Sequence, residues 1–209
     1  MEYKRPRLAM VFGSLGGYQA FHEATRDLYG EIVKEGALYF VEHAKPYPME
    51  KNTLEKSGMD LTKDEVREGR ELTKGFHFYS GIRDLMEKPP GIAIRRDENT
   101  GALYFHDFKT HMEHHEMFRH QMIKAWEAGY RKDMLLSFMS GWGFDGHDLF
   151  PQAQKIGSSI IIQEPKTAIE KNTPNSAIQE AEMKGISYEI FPPQGIGKKI
   201  LEFLSLGGR

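Results

Sequence analysis

The sequence predicts an α/β protein built on a doubly wound, mainly parallel sheet, with helices on both faces and an antiparallel hairpin insertion. Apolar runs at Leu8 to Phe12, Ala37 to Val41, Met134 to Met139, Ser159 to Ile162 and Ser187 to Phe191 have the length and continuity of strands buried on both faces. Most are separated by amphipathic segments of helix length, the alternation that generates a parallel, helix-covered sheet. Between Gly75 and Asp107 the texture changes to short aromatic or β-branched runs joined by turn residues such as Asp97-Glu98-Asn99-Thr100-Gly101.

The first strand runs into Gly13-Ser14-Leu15-Gly16-Gly17, and a helix follows from near Tyr18. Glycines permit a sharp strand-to-helix bend and leave backbone N–H groups uncovered. Open α/β sheets bind ligands beyond the carboxyl ends of their strands, so Ser14 is a candidate nucleophile. The same residues also read as a glycine turn with a helix-capping serine. The second strand ends in Glu42-His43-Ala44-Lys45-Pro46, which sets His43 just past its carboxyl end. Pro46 to Leu61 is polar and irregular, and reads as a loop that covers or borders a site. Gly75 to Tyr79, Gly91 to Arg95 and Ala102 to His106 form the expected antiparallel hairpin region.

The next segment carries His111, His114, His115, Glu116 and His120. On a helix His111 would share a face with His114 and His115, a spacing open to a divalent metal. Met112 breaks any H-E-x-x-H pattern, and a solvated helix face is the reading adopted, with no metal. Met134 to Met139 then enters Ser140-Gly141-Trp142-Gly143-Phe144-Asp145-Gly146, a second glycine-punctuated strand exit. Asp145 serves there either as a reacting carboxylate or as the N-cap of a helix over His147 to Gln154. Trp142, between two glycines, is expected to wall a pocket.

Composition narrows the function classes. At 209 residues the chain can bury the core of one domain, and one domain over residues 1–209 is expected. A formal charge of −2 gives no general attraction to nucleic acid or anionic lipid. Absence of cysteine excludes disulfides, thiolate nucleophiles and cysteine metal sites, and fits a cytoplasmic location. No stretch approaches the ~20 apolar residues of a membrane span. Neither G-x-G-x-x-G nor a P-loop is spelled, so no nucleotide or other cofactor is expected.

Three strand ends therefore offer a hydroxyl, an imidazole and a carboxylate to one edge of the sheet. A serine hydroxyl attacks a carbonyl only when a base takes its proton, and a carboxylate improves that base by orienting it and stabilising its charged form. The order Ser, His, Asp and the Phe12 two residues before the serine separate this pattern from the nucleophile elbow of α/β-hydrolases.

The segments Met10 to Gly17, Glu42-His43 and Phe138 to Gly146 resemble, in order and spacing, the three signature segments of the CheB-type chemotaxis protein-glutamate methylesterases. Weaker similarity covers Val66 to Gly81, Ile162-Gln163-Glu164 and Pro174 to Ala177. The resemblance implies a catalytic triad of Ser14, His43 and Asp145. Leu15, Gly16, Gly141 and Trp142 would surround the oxyanion and substrate pocket. It also implies a catalytic domain without the receiver domain that many family members carry. Leu15, Trp142, Ala44-Lys45-Pro46 and Phe118-Arg119-His120 depart from the family pattern around the substrate channel.

The implied reaction is removal of methyl esters from glutamate side chains of chemoreceptors, with glutamine deamidation as a related activity. The implied partner is the cytoplasmic helical region of methyl-accepting receptors, reached at the membrane only through the receptor. A non-catalytic interaction module on the same fold, or a serine esterase for another substrate, are the alternatives.

Overall fold

A computed structural model describes residues 5–43, 48–80, 91–109 and 114–206, with the side chains of 48, 49 and 114 excluded. Six parallel strands form the main sheet: β1 (Leu8–Gly13), β2 (Ala37–Glu42), β3 (Gly75–Ser80), β6 (Met134–Phe138), β7 (Ser159–Gln163) and β8 (Glu189–Phe191). Their spatial order is β3-β2-β1-β6-β7-β8. Between β3 and β6 in the chain, β4 (Ile92–Arg96) and β5 (Leu103–Asp107) pair as a separate antiparallel hairpin. With the hairpin set aside, the order of the parallel strands reverses between β1 and β6. That is where a doubly wound sheet opens a crevice at its carboxyl edge.

The central strands are continuous apolar runs because both faces are covered. Leu8, Met10 and Phe12 of β1 face a core shared with Met117, Phe118 and Met122 of α5 (Met117–Glu127). Ala9 and Val11 face the opposite core, shared with α1 (Gly17–Thr25), α2 (Tyr29–Glu35) and α8 (Pro193–Ser205). The period-2 alternation of a strand thus distributes one segment between two cores. In the second of these, Phe21 of α1 stacks on Phe40 of β2 with centroids 4.2 Å apart. Gly197 of α8 lies so close to the Ala24 carbonyl that no side chain fits there. On the other face stand α6 (Phe150–Lys155) and α7 (Asn172–Met183), contributing Phe150, Ala153, Ala177 and Ala181.

A buried polar chain seats the hairpin. The Tyr39 hydroxyl of β2 donates to Gln121 Oε1 of α5 at 3.0 Å, and Gln121 Nε2 donates to the Ile92 carbonyl of β4 at 2.7 Å. A buried amide with both ends satisfied fixes the position of the hairpin as well as its contact area.

Two sequence expectations need correction. Gly75–Ser80 is not part of the antiparallel region: it pairs parallel with β2, in the register Leu38↔Phe76 and Phe40↔Phe78, as an edge strand of the main sheet. Its aromatic texture resembles that of the hairpin because it too packs against aromatic neighbours, Phe21 on Phe76 and Phe40 on Phe78. The segment read as a loop over Pro46 to Leu61 contains α3 (Pro48–Lys56), followed by α4 (Leu61–Asp64). Leu54, Met59 and Leu61 are its deeply buried anchors, and their spacing shows no helical periodicity. Asp60 caps α4, accepting from the Thr62 and Lys63 N–H groups.

Two buried histidines couple this fold to pH. Burial pushes His77 on β3 down to about 4, against a hydrogen bond to the Thr73 carbonyl that raises it, and burial alone pushes His147 down to about 4. Above pH ~6.5 both are neutral whether the chain is folded or not. Below that value the unfolded chain binds protons that the folded chain refuses, so stability falls as the pH drops through the window toward about 4. Each histidine is expected to contribute a slope approaching ~1.4 kcal/mol per pH unit within the window. Urea midpoints measured at intervals from pH 7.5 to 4.5 check this, and His77→Phe should flatten the slope.

Candidate active site

The crevice at the β1–β6 switch point is built by loops that hydrogen-bond to one another. Ser14 follows β1, and its N–H donates to the Ser140 carbonyl beyond β6 at 3.0 Å. His43 follows β2, and its N–H donates to the Gly13 carbonyl at 3.3 Å. The Ser140 hydroxyl bridges to a third loop: it donates to the Leu15 carbonyl at 2.8 Å and accepts from the Glu170 N–H at 2.9 Å. Gln163 at the end of β7 receives the Ser140 N–H on its Oε1 at 2.7 Å. Four strand ends thus hold one another in place.

The glycines of the first turn have two distinct roles. Gly16 takes φ +79°, the left-handed conformation that side chains disfavour, and so turns the chain into α1. Gly13 and Gly17 instead make room for Glu42, a fully buried carboxylate at the end of β2. A methyl group on Gly13 would meet Glu42 Oε2 at 2.7 Å, and one on Gly17 would strike the same oxygen. The sequence reading gives these glycines to the bend and to uncovered N–H groups, and names Glu42 only as the residue before His43. A charged residue closing an apolar strand run is the signal the sequence offers, and the structure sets it in register with Gly13.

Asp145 is 6 % exposed and its carboxylate meets three partners. Its Oδ2 lies 3.2 Å from His43 Nε2 and accepts from the Phe118 N–H; its Oδ1 accepts from the Arg119 N–H at 3.0 Å. Phe118 and Arg119 are in the first turn of α5, where N–H groups have no helical acceptor. Asp145 therefore caps α5, across a gap of 27 residues, and not a helix of its own. Phe118 also supports the imidazole directly, its ring parallel to His43 at 4.0 Å between centroids. The resemblance set both residues around the substrate channel, but their contacts with Asp145 and His43 arise only through the tertiary fold.

With Nε2 turned to Asp145, Nδ1 is the ring nitrogen left to exchange a proton with a hydroxyl. Leu15 and Gly16 each present a backbone N–H with no acceptor among the described residues, next to Ser14 at the head of α1. Such paired donors at a helix N-terminus suit developing negative charge. The Gly141 N–H, placed with them on sequence grounds, is engaged otherwise: it donates to the Glu170 carbonyl at 3.2 Å. Gly141 serves close approach, because a methyl group there would meet Ser14 Cβ at 2.7 Å. Gly141→Ala is expected to cost about 1–3 kcal/mol of stability by overpacking, measured as a shift in urea midpoint. Trp142 is 59 % exposed on the loop between β6 and α6.

Of the histidine segment, His111 lies outside the described residues, as does the side chain of His114. His114–Glu116 is a single 3₁₀ turn and α5 begins at Met117, so the expected solvated helix face does not extend across it. His115 is exposed, and His120 is partly buried on α5, its imidazole pushed down by burial first and by Lys124 second. No group of metal-binding side chains occurs among the described residues. None of the described helices is long and apolar enough to cross a membrane.

No protein-family model matches the sequence, and no curated protein matches it. Among solved structures, the chain is similar to the CheB methylesterase catalytic domain of Thermotoga maritima, with a TM-score of 0.72. The match covers 95% of this chain and 99% of that domain, at 19% sequence identity. The two share a fold, which in this chain is a six-stranded parallel sheet flanked by helices, with a separate two-stranded antiparallel hairpin.

Proposed function

We propose that the protein is a serine hydrolase that removes methyl esters from glutamate side chains of chemoreceptors, using Ser14, His43 and Asp145. The observation that carries this reading is the contact of His43 Nε2 with a buried Asp145 at 3.2 Å, together with the backbone bonds that join His43 to Gly13, next to Ser14, and Ser14 to the Ser140 carbonyl in the loop that leads to Asp145. Likeness in fold to a methylesterase domain supports the choice of reaction.

In the first step Ser14 Oγ bonds to the ester carbonyl carbon while its proton passes to His43 Nδ1. Asp145 holds the imidazole through Nε2–H and stabilises its charged form. The carbonyl oxygen becomes an oxyanion facing the Leu15 and Gly16 N–H groups, each worth ~3 kcal/mol of transition-state stabilisation. Collapse of that intermediate breaks the bond to methoxide, which leaves as methanol with the proton from His43. Water, deprotonated by the same imidazole, then hydrolyses the acyl-enzyme to free Ser14 and a glutamate carboxylate. A glutamine amide fits the same sequence with ammonia leaving, which extends the reading to deamidation.

Purified protein mixed with methyl-labelled chemoreceptor membranes is expected to release labelled methanol catalytically. Absence of release, with hydrolysis of other esters intact, would reassign the substrate; absence of all ester hydrolysis would leave the fold as an interaction module.

A further inference from the structure

Two arginines from separate parts of the chain meet in a groove at the amino edge of the sheet. Arg5 precedes β1 and Arg96 closes β4; with Gly101, Leu103 and Ala128 they line a cavity of about 260 Å³. A methyl group on Gly129, just past α5, would lie 2.9 Å from Arg5 Nη1 and 3.7 Å from Arg96 Nη1, so both guanidiniums face one point. Local packing aims each of them there. The Arg5 guanidinium lies over the Tyr130 ring, 4.7 Å from its centroid, and its Nη2 pairs with Asp133, which leaves Nη1 to the groove. Arg96 follows Ile94 by two residues and so shares the inward face of the hairpin, with Leu103 as its cross-strand partner.

The charges in this groove do not balance. Like charges brought together repel, and low-dielectric walls strengthen the repulsion. Asp133 answers Arg5, whereas Arg96 has neither an ion pair nor a hydrogen bond among the described residues. The acids nearest in the chain are engaged elsewhere: Asp97 accepts from the Asn99 and Thr100 N–H groups of its own turn, and Glu127 pairs with Lys124. Among the described residues no acidic side chain lines the cavity.

We infer that this groove binds a phosphate group between the two guanidiniums. Planar forks offered from two directions suit a tetrahedral dianion, whose oxygens can accept from both at once. A carboxylate brings about half that charge, and two oxygens in place of three or four. The site is distinct from the Ser14 crevice. Asp145 meets the first turn of α5 and the groove lies beyond its last, about 16 Å away for a helix of 11 residues. Inorganic phosphate and a phosphate monoester share the chemistry that the groove recognises.

Calorimetric titration of the purified protein with inorganic phosphate and with phenyl phosphate, at fixed ionic strength and with acetate as the reference anion, tests this. Saturable phosphate binding is expected, weakened about tenfold or more in Arg96→Gln, which removes one charged donor set. Arg95→Gln should leave it unchanged, because alternation puts that side chain on the other face of β4. Tighter binding of phenyl phosphate would make a monoester the ligand, and equal or weaker binding would make it free phosphate; both outcomes keep the site. Absence of binding, acetate binding as tightly as phosphate, or phosphate binding undiminished in Arg96→Gln would overturn it. So would a lowered urea midpoint in Arg96→Gln with no phosphate effect on the wild-type protein, which would leave the arginines as partners of the C-terminal end of α5 alone.

Discussion

Replacing Ser14 by alanine is expected to lower ester turnover by about four orders of magnitude or more and to leave the unfolding midpoint nearly unchanged. The two effects separate because the structural work at this position is done by the backbone. The Ser14 N–H donates to Ser140 and its carbonyl receives the Gly17 N–H at 2.6 Å, and both bonds survive the substitution. What disappears is the oxygen that would carry the acyl group. Paired measurements of methanol release and urea unfolding on the purified variant check both halves, and substantial residual turnover would remove Ser14 from the chemistry.

Asp145 predicts the opposite combination, a loss of activity together with a loss of stability. Its carboxylate accepts the Phe118 and Arg119 N–H groups at the head of α5 as well as meeting His43, all within a nearly buried site. Asp145→Ala leaves those two donors without their acceptor, which is expected to cost about 2–4 kcal/mol. Turnover should fall ~10⁴-fold, because His43 loses the group that orients it. Asp145→Asn tests the separation: the amide oxygen still accepts from α5, so more stability is kept, while the negative charge beside the imidazole is gone and activity stays low. An Asn variant that recovers both would make Asp145 a helix cap and nothing more.

How much of this was legible from sequence depends on where the information lies. Strands β1, β2, β6 and β7 were readable to within about a residue at either end because burial on both faces forces a continuous apolar run. Strand β3 was readable as a strand but not as a member of the main sheet, since aromatic runs do not encode whether their partner runs parallel. Helix α3 escaped because few of its side chains are buried. The placement of Ser14, His43 and Asp145 at strand ends followed from local pattern alone. The contacts that hold them do not: Phe118 against His43, Asp145 on the head of α5, and Ser140 tied to Glu170 all join residues distant in the chain. Glu42 beneath the Ser14 turn is the intermediate case, visible as an oddity in an apolar strand but interpretable only once Gly13 and Gly17 are seen against it.

The central claim is that Ser14 and His43 act as one unit, and a double-mutant cycle on methanol release measures this directly. Ser14→Ala, His43→Ala and the double variant are each assayed against the wild-type protein on methylated receptor membranes. If the imidazole serves only to activate the hydroxyl, the three losses coincide, because removing the second partner takes nothing further away. Losses that multiply in the double variant would mean that the two residues contribute independently, and the serine-esterase account of this crevice would be wrong.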